Sequence, residues 1–176
     1  IKEYPYINQL VIMGEKTKNY INQIKKIIKL KEKRSFIDSY ISEDVEKIKN
    51  LYFSAGYNST KIEIKSKKLT DNSYDVLIEI DRGEKTKIKN IIFLGNKSIS
   101  NRRLQDVIAS QEHKFWKILT KNTNFTKNLL ELDTRLLRNY YKSSGFYDVK
   151  INSKSAQISN TGEAELTFSI DEGKRY

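Results

Sequence analysis

The chain has 176 residues and a net charge of +11, with 38% hydrophobic and 31% charged residues. This composition supplies enough apolar side chains for packed cores and argues against global disorder. The sequence has no cysteine and no apolar run of the roughly 18 residues that a bilayer-spanning helix needs, which excludes disulfides, thiolate metal sites and such a helix.

The first half of the chain predicts a strand, two helices and a hairpin, in that order. Residues 7–13 are predicted to form a short strand that ends at Gly14. From Tyr20 onward, apolar residues recur at the spacing of one helix face, which predicts the first helix. A second stripe ends before Gly56, where a left-handed glycine would close the helix. Alternating isoleucines on both sides of the turn at residues 71–73 then predict a half-buried hairpin.

The same order of elements recurs in the second half of the chain. The matches pair residues 7–16 with 88–97, residues 44–57 with 133–146, and residues 78–83 with 168–173. Three matches in one order indicate two copies of a βααββ unit, whose two amphipathic helices cover one face of a three-stranded sheet. The predicted fold class is therefore α+β, with domains at residues 1–83 and 84–176.

Each copy resembles the POTRA domain. Its landmarks are a first strand ending in Gly-Asn-Lys, a Tyr-x-x-x-Gly-Tyr pattern after the second helix, and Glu-Gly after the last strand. The second copy follows this pattern at residues 94–97, 141–146 and 171–173, except that Phe146 stands for the final tyrosine, whereas the first departs from it at residues 14–15 and 82–83. The two copies resemble the second and third POTRA modules of the BamA family of outer-membrane protein assembly factors, over nearly the whole chain.

The resemblance implies a non-enzymatic arm on the periplasmic face of the outer membrane of a Gram-negative bacterium. In such a protein, further POTRA modules and a C-terminal β-barrel adjoin the two copies. The implied partners are unfolded outer-membrane polypeptides and accessory lipoproteins, and no cofactor or metal is expected. POTRA arms of two-partner secretion transporters, of organellar relatives and of the TamA-type assembly factor remain alternatives.

The candidate binding site is the second strand of each copy, which the POTRA fold implies to lie at a sheet edge. An extended chain can hydrogen-bond to such an edge with little regard to its sequence, although the edge lysines equally fit protection against aggregation. Outward N–H groups are expected at Glu63 and at Lys150 or Asn152. The predicted edge residues are Lys61, Ile62, Glu63, Ile64, Lys65, Val149, Lys150, Ile151, Asn152 and Ser153.

Other candidate sites have less support from the sequence. His113 has no nucleophile and no orienting partner in a geometry that the sequence defines, so catalysis is not expected. Glu43, Asp44 and Glu46 are interpreted as acidic side chains that favour a helix N-terminus, because a site for a hard cation needs several converging oxygens.

Two surface features keep alternative interpretations. Phe115 and Trp116 are either a small cluster packed beneath a loop or an interface anchor. The positive charge, densest at residues 25–31 and 65–68, is interpreted as a solvated helix face and strand end, and it also motivates a rival function in nucleic-acid binding. That rival lacks a recognisable binding signature, so no nucleic-acid partner is expected, and a filter-binding salt titration would test it.

Overall fold

The computed structural model describes residues 5–114, 122–157 and 162–176. The chain divides into two compact units, Ile1–Gly83 and Glu84–Tyr176. The first contains β1 (Tyr6–Met13), α1 (Lys18–Ile27), α2 (Ser39–Ser54), β2 (Lys61–Lys68) and β3 (Ser73–Asp81). The second contains β4 (Lys87–Leu94), α3 (Asn101–Val107), α4 (Lys127–Ser143), β5 (Lys150–Gln157) and β6 (Glu163–Asp171). These elements confirm the predicted α+β class and βααββ order.

Each unit forms a three-stranded mixed sheet whose last strand is central. β3 pairs with β1 in parallel and with β2 in antiparallel orientation, and β6 pairs with β4 and β5 in the same way. The first strands share one irregularity of register, between Ile7 and Gln9 in β1 and between Ile88 and Asn90 in β4. The two edges of each sheet are therefore the first and second strands of the unit.

One face of each sheet is buried beneath its two helices. In the first unit, Ile78 of β3 packs in a buried cluster with Ile24 of α1 and Tyr52 of α2. The corresponding buried residues of the second unit are Phe168, Leu104 and Tyr141. Burial of each such side chain stabilises the fold by about 1.5–3 kcal/mol. Among the described residues, no helix is long and apolar enough to cross a membrane.

Glycines close the long helices in both units. Gly56 and Gly145 each have φ of 92°, a conformation that costs glycine little. The N–H of Tyr57 donates to the carbonyl oxygen of Tyr52, and that of Phe146 to the carbonyl oxygen of Tyr141, each at 3.0 Å. These bonds are typical of a left-handed helix cap, so the predicted caps are confirmed.

A second pair of glycines allows close approach of two strands. Gly14 and Gly95 end β1 and β4 with φ of 88° and 84°. A Cβ atom at Gly14 would lie 1.9 Å from the carbonyl oxygen of Ile80, and one at Gly95 would lie 2.1 Å from that of Ile170. Only glycine fits where the first strand passes the central strand this closely.

Candidate functional site

The loop between the two helices covers part of the outer edge of β1. The N–H of Ile7 donates to the carbonyl oxygen of Arg34, and the N–H of Lys33 donates to the carbonyl oxygen of Ile7, both at 2.8 Å. Phe36 donates its N–H to the carbonyl oxygen of Pro5 at 2.7 Å. These bonds occupy the backbone groups that an incoming strand would need at this part of β1.

The second unit protects β4 in the same way. The N–H of Ile88 donates to the carbonyl oxygen of Thr123, and the N–H of His113 donates to that of Ile88, both at 2.7 Å. Phe125 donates its N–H to the carbonyl oxygen of Thr86 at 2.8 Å. The inter-helix loops of both units therefore add a short layer of backbone pairing outside the first strand.

A carboxylate extends this protection in both units. Glu32 Oε1 accepts a hydrogen bond from the N–H of Leu10 at 3.0 Å, and Glu112 Oε1 accepts one from the N–H of Ile91 at 3.1 Å. Sequence reasoning missed both roles. The signal was present in the repeat, because the two glutamates occupy matching positions 80 residues apart.

The outer edge of β2 lacks such a cover within the described part of the chain. The N–H of Leu69 donates to the carbonyl oxygen of Ser73 at 2.8 Å, which sets the phase of the ladder because hydrogen-bonded and non-bonded pairs alternate between antiparallel strands. Along the register of this hairpin, the residues whose backbone N–H and C=O groups point toward β3 are Lys61, Glu63, Lys65 and Lys67. The outward backbone groups therefore belong to Ile62, Ile64, Ser66 and Lys68.

The outer edge of β5 has the corresponding phase. The carbonyl oxygen of Ile170 lies beside Gly95 at the end of β4, so its partner Ile151 is not hydrogen-bonded to it. The backbone N–H and C=O groups of Lys150 and Asn152, the neighbours of Ile151, therefore point toward β6. The expectation of outward N–H groups at Glu63, Lys150 or Asn152 is therefore wrong, because register directs all three toward the central strand.

The structure places most of the predicted edge residues on the two edge strands. Val149 lies one residue before β5 and is only 6% exposed, so it belongs to the core. Residues 61–65 begin β2 and residues 150–153 begin β5. Along β2 the alternation leaves Ile62 and Ile64 half-buried against the core. Polypeptide binding by these strands stays a prediction.

Charged side chains of β2 and β3 contact each other on the solvent-facing side of the sheet. Lys65 donates to Glu79 and lies 3.5 Å from Glu63. The hydrogen bond to Glu79, followed by the charges of both glutamates, raises the pKa of Lys65. These side chains pair with one another and leave the outward backbone groups of β2 open.

Each unit contains a buried hydrogen bond between a tyrosine and a glutamate. Tyr52 donates its hydroxyl to Glu15 at 2.6 Å, and Tyr141 donates its hydroxyl to Glu172 at 3.1 Å. Burial raises the pKa of both carboxyl groups, but the hydrogen bonds that they accept lower it by a larger amount, so each pKa is below its ordinary value. Burial also raises the pKa of both tyrosines.

Two buried aspartates hold the chain that follows the first helix of each unit. Asp44 accepts hydrogen bonds from the N–H groups of Lys29 and Leu30, both at 2.8 Å. Asp133 accepts one from the N–H of Ala109 at 2.7 Å. The interpretation of Asp44 as an acidic group that favours a helix N-terminus is wrong, because the first turn of α2 holds no acidic residue. Asp44 instead joins two elements of the fold.

The proposed interface anchor lies outside the described residues. Phe115 and Trp116 fall between residues 114 and 122, so their assignment to a packed cluster or to an interface stays a prediction. His113, just before them, is exposed and uses its backbone N–H to protect β4.

Comparison with known proteins identifies the repeat. The POTRA family model, described as surface antigen variable number repeat, matches residues 5–83 and 86–173. The outer membrane protein assembly factor BamA of Buchnera aphidicola is 26% identical over 180 residues, covering 100% of this chain and 29% of that protein. BamA of Neisseria meningitidis is 28% identical, covering 99% of this chain and 22% of that protein. The chain thus spans less than a third of the length of these relatives.

The fold also resembles solved POTRA structures. POTRA1–3 of the periplasmic domain of Omp85 from Anabaena matches with a TM-score of 0.59 and 15% identity, covering 93% of this chain and 60% of that one. POTRA3–5 of Haemophilus influenzae BamA matches with a TM-score of 0.52 and 18% identity, covering 96% and 61%. Together with the two family-model matches, these likenesses show that the chain belongs to the POTRA family and carries two tandem copies of its domain.

Proposed function

We propose that the two units form part of the periplasmic arm of an outer-membrane β-barrel assembly machine in a Gram-negative bacterium. The full-length relatives named as outer membrane protein assembly factors support this assignment. In the whole protein, the arm includes adjacent POTRA modules and leads to a C-terminal β-barrel. The units act as binding and scaffold modules, and their mechanism requires no chemical step.

The arm binds unfolded outer-membrane polypeptides by β-augmentation at β2 and β5. The difference between the two edges of each sheet carries this proposal. The first strand of each unit has backbone bonds and a carboxylate along its outer side, whereas the outward groups of β2 have no partner among the described residues. An extended chain would satisfy these groups by adding a fourth strand to the sheet.

Backbone recognition suits a machine that handles many different substrates. Each added hydrogen bond contributes about 0.5–1.5 kcal/mol net, and the few outward groups of β2 or β5 would give weak, reversible binding. Since the bonds involve the main chain, affinity depends little on substrate sequence. Accessory lipoproteins would dock on the same arm, where one unit can hold a folded partner while the other holds a substrate strand.

A proline placed at an outward position tests this mechanism. Ser66 is exposed and its N–H points away from β3, so Ser66→Pro removes an outward donor without removing a ladder bond. Ser153→Pro is the equivalent change in β5. The measurement is chemical-shift change on addition of an extended peptide from an outer-membrane strand, after cooperative unfolding has confirmed that each variant is folded.

We expect shifts along β2 and β5 in the parent protein, lost in the affected unit of each proline variant. Ser66→Ala and Ser153→Ala serve as matched controls, because they remove the same hydroxyl groups and keep the N–H groups. Binding that persists in folded proline variants, or shifts that map to the helices, would contradict β-augmentation.

A further inference from the structure

The first unit carries a basic surface that edge binding does not use. Residues 25–34 contain one acidic residue, Glu32, and six exposed cationic residues, Lys25, Lys26, Lys29, Lys31, Lys33 and Arg34. Their net charge is +5, whereas residues 1–83 as a whole carry +4. This stretch, named the basic surface below, therefore holds the entire excess of positive charge of the unit.

Most of these cations have no acidic partner within the described chain. Lys29 forms an ion pair with Glu43 at 2.6 Å and lies 4.8 Å from the ring centre of Tyr40. Glu32 is engaged with the N–H of Leu10 at 3.0 Å. The charge of the other five cations therefore faces solvent and is available to an anionic partner.

Two depressions open among the cations and are lined in part by half-buried apolar side chains, and Glu32 also lines the first of them. One has a volume of about 210 Å³ and lies between Lys25 and Lys31, with half-buried Leu10 in its wall. The other has a volume of about 570 Å³ and lies beside Lys31 and Arg34, with half-buried Ile37 and Tyr40 in its wall. A ligand that fits this surface combines negative charge with apolar groups that reach inward.

The second unit shows that the fold does not require these cations. The matching residues, at a spacing of 80, are Gln105, Asp106, Ala109, Gln111, His113 and Lys114. Residues 105–114 carry a net charge of −1, although the aspartate and glutamate hydrogen bonds to the backbone are the same in both units. The basic surface is therefore an addition to a shared backbone.

We propose that the basic surface docks an acidic polypeptide segment of a partner protein that carries apolar side chains among its carboxylates. The unpaired cations would bind the carboxylates, and the two depressions would receive the apolar side chains. A bilayer surface fits less well, because membrane binding uses apolar side chains that project outward, whereas Leu10, Ile37 and Tyr40 are recessed. The site lies on the β1 side of the sheet, opposite the β2 edge, and is independent of the proposed β-augmentation.

Replacement of three lysines by the uncharged residues at the matching positions of the second unit tests the site. The probe is a short fluorescent peptide of alternating glutamate and leucine, titrated by anisotropy into the full chain at low salt. The variant Lys25→Gln/Lys31→Gln/Lys33→His should bind about tenfold more weakly, as expected for the loss of three exposed ionic contacts. The matched variant Lys16→Gln/Lys18→Gln/Lys49→Gln loses the same charge elsewhere in the unit and should keep parental affinity.

Three further measurements distinguish this site from general charge attraction, from the β2 edge and from a membrane surface. Adding Gln105→Lys/Gln111→Lys/His113→Lys to the neutralised variant restores net charge in the second unit, where Asp106 and Ser110 line the matching depression. This change should not restore binding, and restoration would show that charge alone suffices, which would overturn the proposal.

Ser66→Pro should leave binding of the probe unchanged, whereas loss of binding would assign the peptide to the β2 edge. If the protein binds phosphatidylglycerol vesicles through Lys25 and Lys31 and does not bind the peptide, the ligand of the basic surface is a membrane and the proposal is overturned.

Discussion

The first and second units differ in which strand supplies the carboxylate for their buried tyrosine. In the first unit Tyr52 donates to Glu15, which follows β1. In the second unit Tyr141 donates to Glu172, which follows β6. A buried hydroxyl without an acceptor costs about 1–3 kcal/mol. The fold therefore requires an acceptor for this hydroxyl, and either of two neighbouring strand ends can provide it.

The exchange involves both strand ends of the first unit. Arg82 holds the position that matches Glu172, and the position that matches Glu15 is Asn96 in the second unit. Arg82 Nη1 lies 3.7 Å from Glu15, and its guanidinium group lies 4.9 Å from the ring centre of Tyr57. The departures from the POTRA pattern at residues 14–15 and 82–83 therefore compensate each other.

Separation of the units is the largest change that tests the comparison. We propose that each unit is an independent domain, because each has its own hydrophobic core and its own complete sheet. Cleavage after Gly83 should then give two pieces that both unfold cooperatively in a denaturant titration. If neither piece shows a cooperative transition when expressed alone, the units stabilise each other and cannot be compared as separate folds.

Alanine at the strand-end glycines should have the largest effect of a single substitution. Gly14→Ala and Gly95→Ala each place a Cβ against a carbonyl oxygen of the central strand, at 1.9 and 2.1 Å. We expect each to destabilise its own unit by at least about 3 kcal/mol. Gly162→Ala is the matched control, because its φ is 75° but nothing lies within 4 Å, so about 1 kcal/mol is expected. Equal losses in denaturant titrations would contradict the close approach of the strands.

The sequence predicted those features of the fold that depend on local pattern. Alternation marked the strands, helical stripes marked α1, α2 and α4, and the glycines at 56 and 145 marked the helix ends. The repeat added the tandem organisation, and the family resemblance added the edge position of the second strand. Each of these depends on neighbouring residues or on comparison of the two copies, both of which are available from one sequence.

The features that escaped prediction depend on tertiary proximity. Asp44 accepts from residues 29 and 30, and Glu32 accepts from Leu10, so each acts on a different element of the fold. Periodicity cannot show which distant N–H a carboxylate meets. The phase of the ladder escaped prediction for a similar reason, because it takes the hairpin bond between Leu69 and Ser73 to show that the backbone N–H of Glu63 points toward β3.

A double substitution in the first unit tests whether the carboxylate can be moved from one strand end to the other. Glu15→Asn leaves Tyr52 without its acceptor and should cost about 2 kcal/mol. Arg82→Glu alone places a second carboxylate beside Glu15 and should also destabilise. Together they reproduce the arrangement of the second unit, with Thr17 in the place of Ser98, which donates its N–H and hydroxyl to Glu172.

The double variant should recover at least half of the summed loss. The measurement is a double-mutant cycle on the free energy of unfolding, where close pairs show coupling of about 0.5–3 kcal/mol. The same two substitutions at Asn96 and Glu172, reversed as Asn96→Glu and Glu172→Arg, give the matched cycle in the second unit. Additive losses in both cycles would contradict the exchange of one acceptor position for the other.

The pH dependence of stability should differ between the units, with the smallest expected effect. Burial raises the pKa of Glu15, but hydrogen bonds from Tyr52 and Thr17 and the charge of Arg82 bring it below the ordinary value of 4.5. The folded state then binds a proton less readily than the unfolded state. The stability that Glu15 contributes is therefore fully present above about pH 4.5 and is lost as the pH falls through the lower pKa of the folded state.

Asp133 gives the second unit a term of opposite sign. Burial raises its pKa above the ordinary value of 3.8, and this effect exceeds the opposing hydrogen bonds from Ser110 and Ala109. Since the folded state binds this proton more readily, stability rises as the pH falls through the raised pKa toward 3.8. Glu172 has a lowered pKa and loses its contribution to stability on acidification as Glu15 does, so Asp133 offsets part of that loss only in the second unit.

Denaturant titrations of the two pieces between pH 6 and pH 3.5 should show a steeper loss of stability for the first unit. Glu15→Gln should flatten the pH dependence of the first unit and Asp133→Asn should steepen that of the second, whereas unchanged slopes in both variants would show that other carboxylates set the acid sensitivity.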